Sequence, residues 1–243
     1  MALILVTGAS TGIGLATATA LAAGGHLVVL HARNTRRVSE PALLDQMHDV
    51  IYGDLSRLDE AKLVAKRANA IGRFDAVIHN AGVFRGPDVL AVNTVAPFVL
   101  TAVMTRPARS IYLSSSMHRS GSPHLTKADL SSGSSAAYED SKLYVTALAL
   151  ALAKRWPDVM AHAVDPGWVP TRMGGPSATD SLDEGHRTQE WLATAAETEI
   201  SPRSGGYWYH GRVRQPHPAA SDPQFQEQLI RALEEHTGMT LPA

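Results

Sequence analysis

The stretch "ALILVTGASTGIG" at residues 2–14 joins an apolar run directly to a cluster of glycines. The apolar run is typical of a buried strand, and the segment over 12–23 is typical of a helix. Gly8, Gly12 and Gly14 lie where the backbone must turn tightly and where a phosphate group can approach it. Their spacing is G-x-x-x-G-x-G, and not the G-x-G-x-x-G of the dinucleotide fingerprint. The stretch predicts a strand–turn–helix unit that binds a nucleotide, with a purely structural turn as the alternative.

Apolar runs of the same kind recur along the chain and alternate with helical segments. They are rich in Val, Ile and Leu without polar alternation, as expected for a parallel sheet covered on both faces. Strands are predicted at 2–8, 26–33, 49–54, 74–82, 109–116, 159–167 and 205–211. Helices are predicted at about 12–23, 57–71, 87–105, 136–155, 183–199 and 222–236. The alternation predicts an α/β fold, a doubly wound and mostly parallel seven-stranded sheet with helices on both faces, in a single domain over residues 1–243.

Composition excludes several classes of protein. The 243 residues are 44 % hydrophobic and 19 % charged, which is enough apolar material for a substantial core. The formal net charge of -1 provides no reason to expect binding to nucleic acid or to a membrane. The absence of cysteine excludes disulfides and favours a cytoplasmic location. No basic segment precedes the first apolar run, so we expect no signal peptide. The longest apolar run, 145–153, is far shorter than the roughly 20 residues of a membrane span, so we expect a soluble protein.

Candidate cofactor residues follow the second, third and fourth predicted strands. Ligands of open α/β sheets bind at the carboxyl ends of strands, so these positions are expected to lie together. Each residue alone is more often a turn residue than a ligand, but their occurrence at consecutive strand ends favours a dinucleotide site. The candidates are Arg33, Asn34, Asp54, Leu55, Asn80, Ala81 and Gly82.

Tyr138 and Lys142 in "YEDSK" stand four residues apart at the start of a predicted helix, so their side chains share one face. A tyrosine with its ordinary pKa of about 10 is a poor base at neutral pH. A neighbouring ammonium favours the phenolate and lowers that pKa. A phenol and an ammonium held together at the start of a buried helix are either a functional pair or a snorkelling pair on an amphipathic helix.

Taken together, these motifs resemble the short-chain dehydrogenase/reductase family over nearly the whole chain. The matching pieces are "TGASTGIG", "GDL", "NAG", "VN" at 92–93, "SS" at 114–115, "YEDSK" and "DPGWVPT" at 165–171. The tail "SGGYWYHGR" is similar to the last strand of the branch that contains the retinol-dehydrogenase-like reductases. The resemblance implies a Rossmann-like fold and an NADP(H)-dependent enzyme that interconverts a ketone or aldehyde and an alcohol by hydride transfer.

The resemblance implies a role for each catalytic candidate. Tyr138 would be the acid/base, and Lys142 would lower its pKa and hold the nicotinamide ribose hydroxyls. Ser115 would hydrogen-bond the substrate oxygen, with Ser116 as the alternative. Asn93 would anchor a water that relays protons to Lys142.

The resemblance also extends the cofactor site and implies a lid. At the nicotinamide end, the Val169 backbone and the Thr171 hydroxyl would bind the carboxamide. Residues 172–200 would cover the substrate, with a hinge at 174–176. The further cofactor residues are Ser10, Thr11, Ile13, Pro166 and Gly167.

The expected cofactor depends on Arg33. NAD-specific relatives place a carboxylate at this strand end, where it accepts hydrogen bonds from the ribose hydroxyls. The sequence has His31, Ala32 and Arg33 there, and a guanidinium can grip a 2′-phosphate. We therefore expect NADP, with NADPH preferred over NADH. A solvated arginine that stacks on adenine would tolerate both cofactors. Many NADP-preferring relatives carry a second basic residue where this chain has Thr11, so we expect a moderate preference for NADPH.

Two spacings depart from the family pattern and both border the expected substrate pocket. Asn80 and Asn93 are only 13 residues apart, whereas Ser115 and Tyr138 are 23 apart. The resemblance therefore implies a small-molecule carbonyl or alcohol substrate without naming it. Members of the family commonly form homodimers or homotetramers, so the resemblance implies one of these. The eleven histidines show no metal-ligand spacing, so we expect no metal site. The rival functions are a non-catalytic nucleotide-sensing regulator on the same fold and a lyase or epimerase that uses bound cofactor transiently.

Overall fold

An eight-stranded sheet organises the chain in the computed structural model, which describes residues 1–38, 41–125, 130 and 138–242. Its strands are β1 (Leu3–Val6), β2 (Leu27–Ala32), β3 (Asp49–Tyr52), β4 (Ala76–His79), β5 (Arg109–Leu113), β6 (Met160–Asp165), β7 (Tyr207–Tyr209) and β8 (Arg212–Arg214). They lie in the order β3-β2-β1-β4-β5-β6-β7-β8, and neighbours are parallel except for β7 and β8. The order reverses between β1 and β4, the point where such sheets bind ligands.

Helices cover both faces of this sheet. They are α1 (Gly12–Ala23), α2 (Pro41–Leu44), α3 (Leu58–Ile71), α4 (Ala96–Val103), α5 (Tyr138–Arg155), α6 (Leu182–Thr194), α7 (Pro218–Ser221) and α8 (Pro223–Thr237). The helices α3, α4 and α5 pack on one face and α1 and α6 on the other, while α7 and α8 pack against α5. The predicted Rossmann-like, doubly wound α/β fold is confirmed. None of the helices in the described ranges combines the length and the apolar character needed to span a bilayer.

The first strand shows why the strand sequences lack polar alternation. Leu5 belongs to the core under α3, α4 and α5, whereas Ile4 and Val6 belong to the core under α1 and α6. All three side chains are fully buried. Because both faces of the sheet are covered, both sets of side chains must be apolar.

The prediction of seven strands is wrong by one. The additional strand, β8, pairs antiparallel with β7 across a two-residue turn at His210 and Gly211, whose φ angles are 46° and 70°. Positive φ at both central positions is characteristic of the type I′ hairpin turn. All three residues of β8 are exposed, so no apolar pattern marks it in the sequence.

The helix predicted at 87–105 is divided into two parts. Ala91–Val95 form a π-helical turn and α4 follows it directly. Pro97 has no N–H to donate to the carbonyl of Asn93, and its ring would clash with that carbonyl in a regular α-helix. The wider turn accommodates this proline. Of the helix predicted at 136–155, residues 136 and 137 lie outside the described ranges.

Four buried histidines make the fold sensitive to acid. His31, His79, His118 and His162 are each no more than 4 % exposed. Burial lowers the pKa of His79 to about 3 and the pKa values of the other three to about 4. The folded chain thus keeps these rings neutral at pH values where the unfolded chain, with an ordinary histidine pKa of about 6.5, binds protons.

We expect the free energy of unfolding to fall as the pH decreases from about 6.5 toward 4, with each histidine contributing about 1.4 kcal/mol per pH unit. Burial also lowers the pKa of His236, which adds to the trend, and raises the pKa of Asp165, which opposes it. Urea unfolding at a series of pH values measures the slope. His79→Phe should make it shallower, and His48→Asn at an exposed position should not. A stability that does not change below pH 6.5 would contradict the expectation.

Candidate functional site

The carboxyl ends of the parallel strands open into a cavity of about 620 Å³. It extends from the ends of β1, β2 and β3 to those of β5 and β6. The predicted residues that line it are Gly8, Ser10, Thr11, Gly12, Ile13, Gly14, Arg33, Asp54, Leu55, Asn80, Ala81, Gly82, Tyr138, Lys142, Pro166 and Thr171. Those that do not form part of its lining are Asn34, Asn93, Ser115, Gly167 and Val169.

The glycine-rich turn forms a cradle for an anion at the start of α1. Gly8 and Gly12 adopt φ angles of 63° and 60°, which other residues rarely adopt. A Cβ at Gly14 would lie 2.3 Å from the Asn80 side-chain nitrogen, so only glycine fits there. Within the described chain, no side chain caps the first turn of α1 and no acidic residue lies in it. Its free N–H groups and the helix dipole therefore favour a phosphate group, and this end of the cavity fits a dinucleotide.

Thr7 and Asn80 connect this turn to β4. The Thr7 hydroxyl accepts hydrogen bonds from the N–H groups of Asn80 and Ala81, both at 3.0 Å. The Asn80 side-chain amide donates to the carbonyls of Thr7 at 2.8 Å and Gly8 at 3.3 Å. Asn80 therefore holds the turn in shape, in addition to lining the cavity as predicted.

His31 is a cavity residue whose function the sequence did not reveal. Its Nδ1 accepts a hydrogen bond from the Gly8 N–H at 3.1 Å, so the ring proton resides on Nε2, which donates to the Gly53 carbonyl at 3.0 Å. The neutral ring thereby ties the glycine-rich turn to the end of β3. No local sequence signal indicates this contact, because Gly8 and Gly53 are each more than 20 residues away.

Two arginines lie at the end of the cavity beside β2 and β3. Arg33 is 44 % exposed, and its Nε lies 3.7 Å from the Asp54 carboxylate. Burial alone would raise the pKa of Asp54, but hydrogen bonds from Ser56 and the positive charges of Arg33 and Arg57 outweigh it, so the net pKa is lowered. A 3₁₀ turn over Thr35–Arg37 brings Arg37 to the cavity lining. The sequence analysis missed Arg37, although a basic pair so close after Arg33 is a signal that could have identified it.

Tyr138 and Lys142 lie together in the cavity, with the Lys142 ammonium 5.5 Å from the Tyr138 ring centroid. The ammonium donates to the Leu113 carbonyl at 2.6 Å. Burial lowers the pKa of Lys142 to about 8, although the Asp165 carboxylate acts in the opposite direction. Burial raises the pKa of Tyr138, a hydrogen bond with Ser115 lowers it, and the charge of Asp165 raises it further. The expectation that Lys142 lowers the Tyr138 pKa did not take this larger effect of burial into account.

The three serines after β5 have different surroundings. The Ser114 hydroxyl is 2.6 Å from the Thr146 hydroxyl inside the core. The Ser115 side chain hydrogen-bonds Tyr138 and also accepts from the Met117 N–H at 3.3 Å. Ser116 is exposed. Only Ser115 among these three is brought to the phenol, as the preferred assignment requires.

Asn93 lies in the π-helical turn and its side chain is fully engaged. Its amide nitrogen donates to the Ser141 hydroxyl and to the Val83 carbonyl, both at 2.9 Å. Its amide oxygen accepts from the Val83 N–H at 2.8 Å. The side chain therefore ties the loop after β4 to α5.

The segment after β6 packs closely on its neighbours. Gly167 has a φ angle of 86° and donates its N–H to the Asp165 carboxylate at 3.0 Å. Val169 is buried against Gly185 of α6. The Thr171 methyl group lies beside Gly12, and the Thr171 hydroxyl accepts from the Gly174 N–H at 3.2 Å. The segment after β6 therefore contacts the glycine-rich turn through Thr171.

The range 172–200, expected to form a lid, contains two kinds of structure. Helix α6 is packed on α1, and Gln189 donates to the Thr17 hydroxyl at 3.3 Å. Residues 172–181 precede this helix without forming a helix or strand of their own. Arg172 and Met173 in that part line the cavity, as does Leu182 at the start of α6. The part of the range that could cover a ligand is therefore 172–181.

Comparison with known proteins consistently finds dehydrogenases and oxidoreductases. A family model described as short chain dehydrogenase matches residues 2–112. An uncharacterized oxidoreductase of Emericella nidulans, AN7799, is 37 % identical over all of this chain and 99 % of its own. The short-chain dehydrogenase chyC of Penicillium rubens is 34 % identical over the full length of both chains. Human retinol dehydrogenase 13 is 27 % identical over 99 % of this chain and 86 % of its own.

Solved structures share the fold. An uncharacterized protein from Mycobacterium paratuberculosis superposes with a TM-score of 0.82, at 24 % identity, over 100 % of this chain and 96 % of that one. An NADPH-bound carbonyl reductase from chicken fatty liver superposes with a TM-score of 0.71, at 21 % identity, over 88 % of this chain and 98 % of that one.

Proposed function

Because the chain belongs to the short-chain dehydrogenase/reductase family and is an oxidoreductase, we propose that it interconverts a ketone or aldehyde and an alcohol with NADP(H). The observation that carries this proposal is that Tyr138 and Lys142 line the cavity that also contains the glycine cradle, with the Ser115 side chain hydrogen-bonded to Tyr138. When bound, the dinucleotide supplies or accepts the hydride. The chain itself must hold the substrate oxygen and move one proton.

We assign the proton transfer to the Tyr138 hydroxyl. Because burial raises its pKa, the phenol is protonated at neutral pH and begins as an acid. That state suits reduction, in which the substrate oxygen takes up a proton. Ser115 would hydrogen-bond the same oxygen, and Lys142 would hold the ribose hydroxyls with its ammonium. In the oxidation direction Tyr138 would take the proton back.

Tyr138→Phe keeps the ring and removes the proton, so kcat should fall by about 10²–10⁴-fold, as is typical of lost acid–base catalysis. Cofactor affinity should be largely retained, and Lys142→Met should weaken it. Cofactor oxidation followed by absorbance, together with cofactor titration, measures both quantities. Binding without turnover in the wild type would favour the nucleotide-sensing regulator, and near-normal turnover of Tyr138→Phe would exclude this residue as the acid.

The reacting end of the cavity favours an apolar substrate. Phe84 lines it, and its ring lies edge-on to Tyr138 with centroids 4.9 Å apart. Met173 and Leu182 also line the cavity, although they are 43 % and 39 % exposed. Large apolar side chains left exposed around a cavity are typical of a binding site for apolar ligands. The assay panel should therefore include ketones and aldehydes with aryl or alkyl substituents.

The cofactor preference is proposed from the two arginines of the cavity. Arg33 and Arg37 are both available to a 2′-phosphate, and Arg37 provides the second positive charge that Thr11 does not. A carboxylate at the position of Arg33 would instead repel a phosphate. A charge-assisted hydrogen bond contributes about 1.5–3 kcal/mol, which is about 10- to 150-fold in affinity.

We expect NADPH to exceed NADH in kcat/KM for the wild type, and Arg33→Asp to remove the advantage. Arg37→Ser should reduce it in part. Arg36→Ser is the matched control, because Arg36 belongs to the same turn and does not line the cavity. The measurement is kcat/KM with both cofactors for all four proteins. A wild type that prefers NADH, or an equal loss with Arg36→Ser, would overturn the preference.

Residues 172–181 are proposed as the covering segment that closes over the bound cofactor. They lie between Thr171, which contacts the glycine turn, and the firmly packed α6. Met173 in this segment lines the cavity, and excluding water from the cavity would strengthen the electrostatic interactions of the site.

Trypsin should cut after Arg172 more slowly when NADPH is present. Arg214 is the last residue of β8 at the far edge of the sheet and is exposed, so its cleavage rate is the internal control and should not change. Mass spectrometry of the fragments gives both rates. Equal cleavage after Arg172 with and without NADPH would count against closure.

A further inference from the structure

Three buried side chains that contact one another lie close to Ser115, one in the turn after β5, one at the end of β6 and one at the start of β7. They are His118, Asp165 and Tyr207, whose exposed fractions are 0 %, 3 % and 2 %. None of the three lines the cavity. The sequence analysis assigned no role to any of them, and the proposed reaction does not use them directly.

The hydrogen bonds of His118 determine its tautomer. The backbone N–H of His217 donates to Nε2 at 2.9 Å, so Nε2 carries no proton. The neutral ring therefore carries its proton on Nδ1, which donates to the Ser115 carbonyl at 2.7 Å. Burial lowers the pKa of His118 to about 4, so this tautomer persists at neutral pH.

Tyr207 and Asp165 restrict the position of the His118 ring. The Tyr207 ring packs on it, with centroids 4.7 Å apart and an interplanar angle of 51°. The Tyr207 hydroxyl donates to the Asp165 carboxylate at 3.0 Å. The other carboxylate oxygen accepts the Gly167 N–H at 3.0 Å, so Asp165 is itself fixed. A satisfied buried network of this kind restricts its members to one arrangement.

We propose that His118, supported by Tyr207 and Asp165, is a positioning residue for Ser115. The ring holds the Ser115 backbone through its Nδ1 proton, and the Ser115 hydroxyl is thereby kept on Tyr138. This inference rests on the proposed function, because positioning matters only where Ser115 and Tyr138 act on a substrate oxygen. A small displacement of such a group can lower the rate by about 10²-fold without any loss of binding.

Two substitutions separate positioning from packing. His118→Asn carries an amide N–H near the place of Nδ1 and can still donate to the Ser115 carbonyl. His118→Gln carries its amide near the place of Nε2 and cannot. We expect His118→Gln to lower kcat by about 10- to 100-fold with KM nearly unchanged, and His118→Asn to retain most of kcat. Equal losses of kcat in the two variants, or none in either, would overturn the proposal.

His162 provides a matched control for the loss of a buried histidine. Its Nδ1 accepts from the Gly206 N–H and the Trp208 indole, and its Nε2 contacts the Arg203 carbonyl; none of these residues lines the cavity. His162→Gln should lower the urea midpoint as His118→Gln does and leave kcat unchanged. In a Ser115→Ala background, His118→Gln should have little further effect on kcat, because its influence passes through Ser115. A full additional loss there would overturn the proposal.

A measurement that does not depend on activity separates this inference from the proposed function. The NMR signals of Ser115 should shift in His118→Gln and much less in His118→Asn. Unchanged signals in both variants would overturn the positioning role even in an active enzyme. If the expected shifts appear and the wild type turns over no carbonyl compound, the positioning role stands and the proposed reaction is the part that fails.

Discussion

The hydrogen bonds between Thr7 and Asn80 hold together the two strand ends on which the rest of the site depends. These residues directly follow the neighbouring strands β1 and β4, where the strand order reverses and the connecting helices leave for opposite faces. That divergence opens the crevice. The hydrogen bonds from the Asn80 amide to the carbonyls of Thr7 and Gly8 fix the glycine turn beside it. Gly8 and Gly14 then approach Ala81 and Asn80 so closely that no side chain fits between them. The cradle for phosphate is a consequence of this packing.

The sequence was sufficient to predict the features that depend on residues close together along the chain. Strands buried on both faces need runs such as Leu3–Val6, and a turn with positive φ needs glycine at Gly8 and Gly12. Tyr138 and Lys142 share a face because both lie on α5, one helical turn apart. The strand ends that carry Arg33, Asp54 and Asn80 converge because parallel strands of one sheet must end on the same side. These expectations follow from local geometry and from the topology of the fold.

The features that were missed depend on contacts between distant parts of the chain. His118 bonds to residue 217, which is 99 positions away, and no pattern near it indicates that partner. The strand β8 is stabilised by pairing with β7 and carries no apolar signal of its own. The Tyr138 pKa was misjudged for the same reason. Spacing on a helix reveals the neighbouring ammonium, whereas the desolvation that outweighs it comes from the whole surrounding fold.

Burial gives the site a consistent electrostatic character. Raising the pKa of Tyr138 keeps its proton in place, and lowering that of Lys142 to about 8 leaves the ammonium charged but easily deprotonated near neutral pH. Asp165 raises both pKa values, so one buried carboxylate favours the protonated form of each group. A protonated phenol next to a protonated amine is the arrangement that the proposed reduction requires. For oxidation the same burial would have to be overcome, and the hydrogen bond with Ser115, which lowers the Tyr138 pKa, would help to stabilise the phenolate. The electrostatics of the site therefore suit the protonated state in which Tyr138 would begin the proposed reduction.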